Sequence, residues 1–435
     1  MMQPTANTRV IALIDCDNFY ASCELVWRRE LQTRPVVVLG SNDRCVIARN
    51  RFAKALGIPM GQPYARCRAL LQRHHGVAFS ANFPLYQDMS NRIMRLLASF
   101  GYPVEIHSID EAFLDLSMFP HQKLTALAHA IRQRLLQWTG IAVTCGIGAS
   151  KVQAKLACEY GKSNPQQCHG VCNLLEWSPQ NLETLLTHTL AEDVWGIGQR
   201  YASRLQRELG ILTARGLRDA DHLHLRHVLG VSIQRIALEL RGICCLPIIT
   251  ASKPRQTIMV ALSFAHPITN RPSCLQAIAC YVALAAHKLR RQQLHTAHLS
   301  VFLSTNPFDA QAPQYVNSAA HTLPFPTSFT PELIQVAQSL LSSIYRPGYA
   351  YKKVGVLLSD LRPQHVLQPD LFQQFSWEEQ ARRARLMAIV DLVNAHLGQS
   401  TLFWGAQGLH RPWFPHAALR SPRATTNWQE LLALD

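Results

Sequence analysis

Apolar residues run along the chain in two patterns. Short unbroken runs at 10–14 and 36–39 have the length and composition of buried strands. Longer segments repeat at helical spacing. Leu85, Met89, Ile93, Leu96, Leu97 and Phe100 share one face, as do Leu124, Leu127, Ala128, Ile131, Leu135 and Trp138. Residues 103–109, 112–116 and 141–147 read as further strands. With 28–76 set aside, the order is β-α-β-β-α-β, the split βαβ or ferredoxin-like arrangement. A similar order returns later: a strand over 256–264, a helix over 273–293, a strand over 298–303, a helix opened by Thr330 as N-cap with Pro331 at the first helical position, and a strand over 351–358. No sequence repeat links the two blocks. Residues 176–249 between them read as all-helical. Beyond Leu361, Ser376 and Glu379 have capping-box spacing and start a helix to about 396. The rest of that region reads as loop-rich and holds four of the eight tryptophans.

A chain of 435 residues has room for two to four domains at roughly 100–200 residues each. The 48% hydrophobic fraction excludes global disorder. No apolar run reaches the roughly 18–20 residues of a spanning helix, and the first eight residues are polar, so a cytoplasmic protein without a membrane partner is expected. The twelve cysteines are scattered without paired Cys-x-x-Cys sets, which predicts reduced, mostly buried thiols and no structural zinc. The formal net charge is +15. It divides into +8 over 1–175, zero over 176–249, +6 over 250–360 and +1 beyond. Two basic blocks around a neutral one predict two surfaces facing one polyanion.

Candidate chemistry gathers at carboxylates. Asp15 ends the first apolar strand, Asp17 follows two residues on, and Asp110 and Glu111 lie at the turn between two later strands. In a ferredoxin-like sheet the first and third strands are central neighbours, which brings these groups together from about 95 residues apart. Converging carboxylates need cations among them, and an oxygen-only set suits Mg²⁺ or Mn²⁺. Two such ions serve phosphoryl transfer. Read alone, an Asp-Glu dipeptide in a turn is an ordinary solvated feature, and Phe19-Tyr20 an ordinary pair of core aromatics.

Three stretches carry a resemblance: Asp15-Cys16-Asp17-Asn18-Phe19-Tyr20-Ala21-Ser22-Cys23-Glu24, Cys45-Val46-Ile47-Ala48-Arg49-Asn50, and Ser108-Ile109-Asp110-Glu111-Ala112-Phe113-Leu114-Asp115. Together they resemble the motifs of the Y-family translesion DNA polymerases, in the UmuC-like branch. The resemblance implies an α+β multidomain polymerase: palm at 1–27 and 77–175, fingers at 28–76, a helical thumb with a helix-hairpin-helix at 176–249, a βαββαβ little finger at 250–360 and a UmuC-type region at 361–435. It implies error-prone synthesis past damaged template, as in SOS mutagenesis, by two-metal nucleotidyl transfer with two Mg²⁺ ions, or Mn²⁺. Asp15, Asp110, Glu111 and the Cys16 carbonyl would hold the metals. Tyr20 would be the steric gate that excludes a ribose 2′-hydroxyl, beside Phe19 at the nucleotide. Arg51, Lys54, Lys155 and Lys162 would meet the dNTP triphosphate. Asp17 takes a supporting place.

DNA contacts follow the same resemblance. Gly196-Ile197-Gly198 opens a helical pattern with Leu205 and Leu209, so backbone amides can approach a phosphate at the positive helix end. In the little finger, Lys253, Arg255, Lys288, Arg290, Arg291, Lys352 and Lys353 are candidate contacts to the primer-template backbone. Ser263-Phe264-Ala265 departs from the family's Ser-Phe-Gly, which puts the local template contact in doubt. Gln368, Leu371 and Phe372 fit a sliding-clamp-binding peptide. A cleaved UmuD-like dimer and a RecA filament are the further partners implied. A DinB-like polymerase, a catalytically inactive scaffold at stalled forks and a nucleotide cyclase share parts of this pattern. The long aromatic tail, the three carboxylates and the second basic block speak against them in turn.

Overall fold

The computed structural model describes residues 9–251, 254–366 and 376–431. They fall into two compact units. Residues 9–39, 45–251 and 419–431 make the first, and 40–44 with 254–366 and 376–418 the second.

Eight strands belong to the first unit: β1 (Ile11–Cys16), β2 (Val36–Leu39), β3 (Val46–Arg49), β4 (Val77–Ser80), β5 (Val104–Ile106), β6 (Glu111–Asp115), β7 (Val143–Gly148) and β8 (Val171–Asn173). Five form the palm sheet in the order β5-β6-β1-β7-β8. The first four of these reproduce the ferredoxin-like order expected of the apolar runs. All six residues of β1 are buried, because both faces of the sheet are covered. Val10, Ala12 and Ile14 pack with helices Phe83–Ala98 and Leu124–Thr139, whereas Ile11 and Leu13 pack with Phe113 and with Ala154 and Cys158 of helix Lys151–Ser163. That last helix lies so close on β7 that a Cβ at Gly146 would stand 2.2 Å from the Ala154 carbonyl oxygen. Its lysines thereby come over the end of β1. A smaller sheet, β3-β2-β4, forms the fingers. Its strand Val77–Ser80 pairs in parallel with Val36–Leu39, so the fingers sheet runs past the expected limit of 76.

The thumb comprises helices Pro179–His188, Gln199–Leu209, Ala214–Asp219, His222–Leu229 and Val231–Leu240 around a core with Leu186, Val194, Leu205, Leu217 and Ile233. It is joined to the palm by a fully buried carboxylate. Glu239 accepts from the backbone amides of Val152 (3.2 Å), Cys245 (2.6 Å) and Leu246 (2.8 Å). Its own carbonyl accepts from the hydroxyl of Ser150, which caps helix Lys151–Ser163.

The second unit has strands β9 (Ile258–Ile268), β10 (Leu294–Ser304), β11 (Val316–Thr327) and β12 (Tyr351–Pro363) in the order β11-β10-β12-β9. Helices Arg271–Arg291 and Thr330–Ile344 cover this sheet. The N-cap of the second falls on Phe329, and Thr330 opens the helix. Beyond 361, helix Trp377–Leu397 is tied to this unit by Asp391, which pairs with Arg290 and His287, and by Arg383, which pairs with Glu332. Trp413, 1% exposed, sets its ring edge-on to Tyr281. The region past 361 is therefore shared: 376–418 builds on the second unit, and 419–431 returns to the first.

Candidate active site

The antiparallel pairing of β1 with β6 puts Asp15 directly opposite Glu111. Asp110 lies one residue before β6, and its carbonyl accepts from the Cys16 amide at 2.9 Å. Asp15, Asp110 and Glu111 thus lie at one end of the central strand pair, with Asp110 placed there by its backbone. Asp15 is 4% exposed.

Lysines occupy the space beside them. Lys162 Nζ lies 2.7 Å from Asp15 Oδ2, and Lys155 Nζ lies 3.3 Å from the same oxygen while also bonding Glu111. Glu159 lies 3.5 Å from both ammonium groups. Burial and the neighbouring Asp15 carboxyl push Glu111 up to about 7 against the pull of Lys155. Burial acts upward on Asp15 too, but its bond with Glu111 and the Lys162 and Lys155 charges hold it below the usual carboxylate range. The two acids titrate as one unit, Asp15 held below the usual range and Glu111 above it. Burial works against the charge of Lys162, but Asp15 more than offsets it and raises the lysine.

Ser108 Oγ donates to Asp110 Oδ1 at 2.6 Å. Asp17 sits just past β1, where Thr144 Oγ1 donates to its Oδ1 at 2.8 Å and burial raises it. Among the described residues no three His, Cys, Asp or Glu side chains stand together as a ready metal cluster. The donor set still fits a divalent ion. It is all oxygen, it is partly desolvated, and ammonium groups pair with it.

Tyr20 stands on helix Phe19–Leu25, which follows β1 directly through Asn18 in the left-handed region (φ 52). Phe19 is buried, whereas Tyr20 is partly exposed. Tyr20 stacks on Tyr86 with ring centroids 4.7 Å apart and 19° between planes, and Phe83 meets its edge at 5.9 Å.

In the fingers, Asn50 caps helix Arg51–Ala55 by accepting from the Ala53 amide. Arg51 is exposed with its guanidinium 4.7 Å over the Phe52 ring. Lys54 is lowered first by burial and then by the positive charges of Arg49 and Lys162. Lys54 and Lys162 therefore feel one another, and a cationic group borders the carboxylates. Arg49, Ser108, Thr144, Glu159 and Tyr86 were not singled out by sequence reasoning. Arg49 and Ser108 lie inside quoted motifs, but nothing in their spacing marks a role.

In the thumb, Gly196 has φ +91 and Gly198 precedes helix Gln199–Leu209 without a side-chain cap, so first-turn amides are left for a ligand or water. In the second unit, Arg255, Lys288 and Arg291 are exposed, and Lys353 is partly buried with its ammonium 5.7 Å over the Phe302 ring. Two expected DNA contacts are committed inward instead. Arg290 bonds Asp391 through Nε (2.7 Å) and Nη2 (2.8 Å), and Nη1 donates to the Ser328 carbonyl and the Thr330 hydroxyl. Lys352 is 9% exposed and donates to the Phe264 carbonyl, and burial lowers it to about 8. Charge alone could not show this, because both sit where the sheet or its covering helix turns them into the unit. Lys253, Gln368, Leu371 and Phe372 lie outside the described residues. The twelve cysteines are free thiols. Among the described residues no helix is long and apolar enough to cross a membrane.

The chain matches the impB/mucB/samB family over residues 14–159, that family's C-terminal domain over 255–371, and a domain of unknown function (DUF4113) over 384–433. It is 40% identical to Protein UmuC of Salmonella typhimurium over 97% of this chain and 99% of that one. It is 35% identical to Protein ImpB of the same organism, again over 97% and 99%. Among solved structures, a Y-family DNA polymerase chimera of Dbh and Dpo4 shares the fold with a TM-score of 0.65 at 23% identity, over 81% of this chain and 99% of that chain. Paired carboxylates at the end of a ferredoxin-like sheet, two matched family domains and near full-length likeness converge: the chain belongs to the impB/mucB/samB family, the UmuC-like branch of the Y-family polymerases, and is a translesion DNA-directed DNA polymerase.

Proposed function

We propose that Asp15, Asp110 and Glu111, with the Cys16 carbonyl, hold two divalent ions, Mg²⁺ or Mn²⁺, and that Tyr20 selects the sugar of the incoming nucleotide. Dependence on a divalent metal comes with the family. The observation that carries the residue assignment is the register pair Asp15–Glu111 with Lys155 and Lys162 lying on it. When bound, the ions supply Lewis-acid stabilisation of phosphate oxygens and favour the ionised form of the attacking primer 3′-hydroxyl. The chain's own residues do the rest. Lys155 and Lys162, released from Asp15 and Glu111, turn to the triphosphate, and Lys54 and Arg51 approach it from the fingers. Tyr20 lies beneath the sugar, where a flat ring leaves no space for a 2′-oxygen, and buried Phe19 packs behind it. Ser108 and Thr144 orient Asp110 and Asp17. Thumb amides after Gly196 and Gly198 take a backbone phosphate, and Arg255, Lys288, Arg291 and Lys353 take others. The partners we infer are the sliding clamp, through Gln368, Leu371 and Phe372, a cleaved UmuD-like dimer and a RecA filament.

Primer extension by the purified chain with Mg²⁺, with and without activated partners, tests the reading. Wild type extends past an abasic site and Asp110→Asn does not. Equal extension by both would remove Asp110 from the metal site, and none by wild type even with partners would favour a DNA-binding scaffold.

A further inference from the structure

A sugar-selecting ring works only while it holds its place, since it must resist one extra oxygen. The helix bearing Tyr20 is short, Phe19–Leu25, and has no side-chain cap, so local structure alone holds the ring weakly. The firm surface is beneath it. Tyr86 is fully buried and lies nearly parallel to Tyr20 at 4.7 Å. Its hydroxyl donates to Glu24 Oε1 at 2.8 Å. Glu24 is itself fully buried; Arg28 donates to its other oxygen at 3.0 Å, and the Ser421 hydroxyl donates to Oε1 at 2.9 Å.

Ser421 arrives from 397 residues away and is gripped on both sides. Asn82 Nδ2 donates to its carbonyl at 3.0 Å and to its hydroxyl at 2.9 Å. Just before it, the Leu419 amide donates to the Ser80 hydroxyl at 2.9 Å, and the Ser80 amide donates back to the Leu419 carbonyl at 3.0 Å. Asn82 stands immediately before the helix that carries Phe83 and Tyr86. One segment near the end of the chain therefore pins both the start of that helix and the carboxylate that fixes the Tyr86 ring.

We propose that Tyr86 is a positioning residue for sugar selection by Tyr20, and that Ser421 locks it there through Glu24. This gives the segment 419–431, matched only as part of a domain of unknown function, a place in the nucleotide site. The proposal rests on the reading of Tyr20 as the gate.

The test is the ratio of kcat/KM for a deoxynucleotide over the matching ribonucleotide, measured by single-nucleotide insertion with the full chain and any partners it requires. Both values come from one preparation, so the folded fraction cancels. Tyr86→Ala lowers the ratio about three- to tenfold, the size of one lost aromatic contact, through a smaller KM for the ribonucleotide. Tyr86→Phe, which keeps the ring but cuts its bond to Glu24, lowers it about two- to fivefold, less than the loss of the ring. Ser421→Ala lowers it about two- to fivefold, a fraction of one lost bond to a charged group because the loss reaches Tyr20 only through Glu24 and Tyr86, and Ser421→Thr restores it. Tyr86→Met fills the same space without a ring and gives the same reading where the alanine protein is unstable. A ratio unchanged by Tyr86→Ala and Tyr86→Met, beside a fallen one for Tyr20→Ala, overturns the positioning role and spares the gate. A ratio unchanged by Tyr20→Ala overturns both.

Discussion

Replacing Glu239 by alanine should loosen the helix that carries Lys155 and Lys162, although Glu239 touches neither. Its carboxylate is fully buried and accepts from three amides, of Val152, Cys245 and Leu246. Val152 is in the first turn of helix Lys151–Ser163, where free amides and the positive helix end favour an anion. The two short bonds to a buried charge contribute about 2 kcal/mol each and the longer one about 1, so truncation costs about 5 kcal/mol, reduced to about 3–4 as water reaches the amides. Hydrogen exchange of this helix measures the opening directly, with helix Leu124–Thr139 as reference. Only the bond to Val152 reaches this helix, so at 1.4 kcal/mol per factor of ten the amides of Lys151–Ser163 should exchange about five- to tenfold faster in Glu239→Ala. Glu239→Gln should fall between, because it keeps an acceptor but turns an NH₂ group toward an amide. A rise below about threefold in the alanine protein would show that the joint carries no load, and the reasoning would be wrong.

Three further outcomes are expected. Gly146→Ala should prevent normal folding of the palm, because its Cβ would stand 2.2 Å from the Ala154 carbonyl oxygen and 2.3 Å from the Cys158 nitrogen; soluble protein with wild-type melting would contradict this. Burial pushes Asp391 up, yet its bonds with Arg290 and His287 hold it below the usual range, so its stabilisation is present above its unfolded value near 3.9 and is lost as pH falls through the folded one. The loss of melting temperature in Asp391→Asn should therefore be largest near neutral pH and shrink below about pH 4; a cost independent of pH would refute it. Removing the charge of Arg255, Lys288 or Arg291 should each reduce the slope of log DNA affinity against log salt by about 0.9, whereas Arg290→Gln should leave the slope and lower stability instead. Equal slope changes for all four would return Arg290 to the DNA surface.

The palm was legible because its signal is local. A strand buried on both faces reads as an unbroken apolar run, and two amphipathic helices announce their faces, so the pairing of the end of β1 with the start of β6 was readable from strand order, whereas the roles of Asp15, Asp110 and Glu111 needed the resemblance. Lys155 and Lys162 needed the resemblance, since a lysine in a basic chain carries no mark of its partner. Strand Val316–Thr327 escaped notice because it lies at a sheet edge, largely exposed, with Pro324 and Pro326 breaking the strand pattern. Arg290 and Lys352 were misread because charge predicts a surface and only packing reveals a buried partner. The Glu24–Ser421 bond was beyond reach: no periodicity links residues so far apart, and the region past 361 read as loops.

That same bond bears on how the protein is made. The chain leaves the first unit before 254 and re-enters it at 419, so the palm is not completed when its own strands have been synthesised. Glu24 must wait for 397 more residues, about 20–80 s at roughly 5–20 residues per second on the ribosome. Through that interval the second unit can fold while Glu24 has Arg28 and Tyr86 alone for company. Residues 419–431 then return to the first unit, so a nascent chain cut short before residue 419 carries Asp15, Asp110 and Glu111 but lacks the hydroxyl that bonds Glu24.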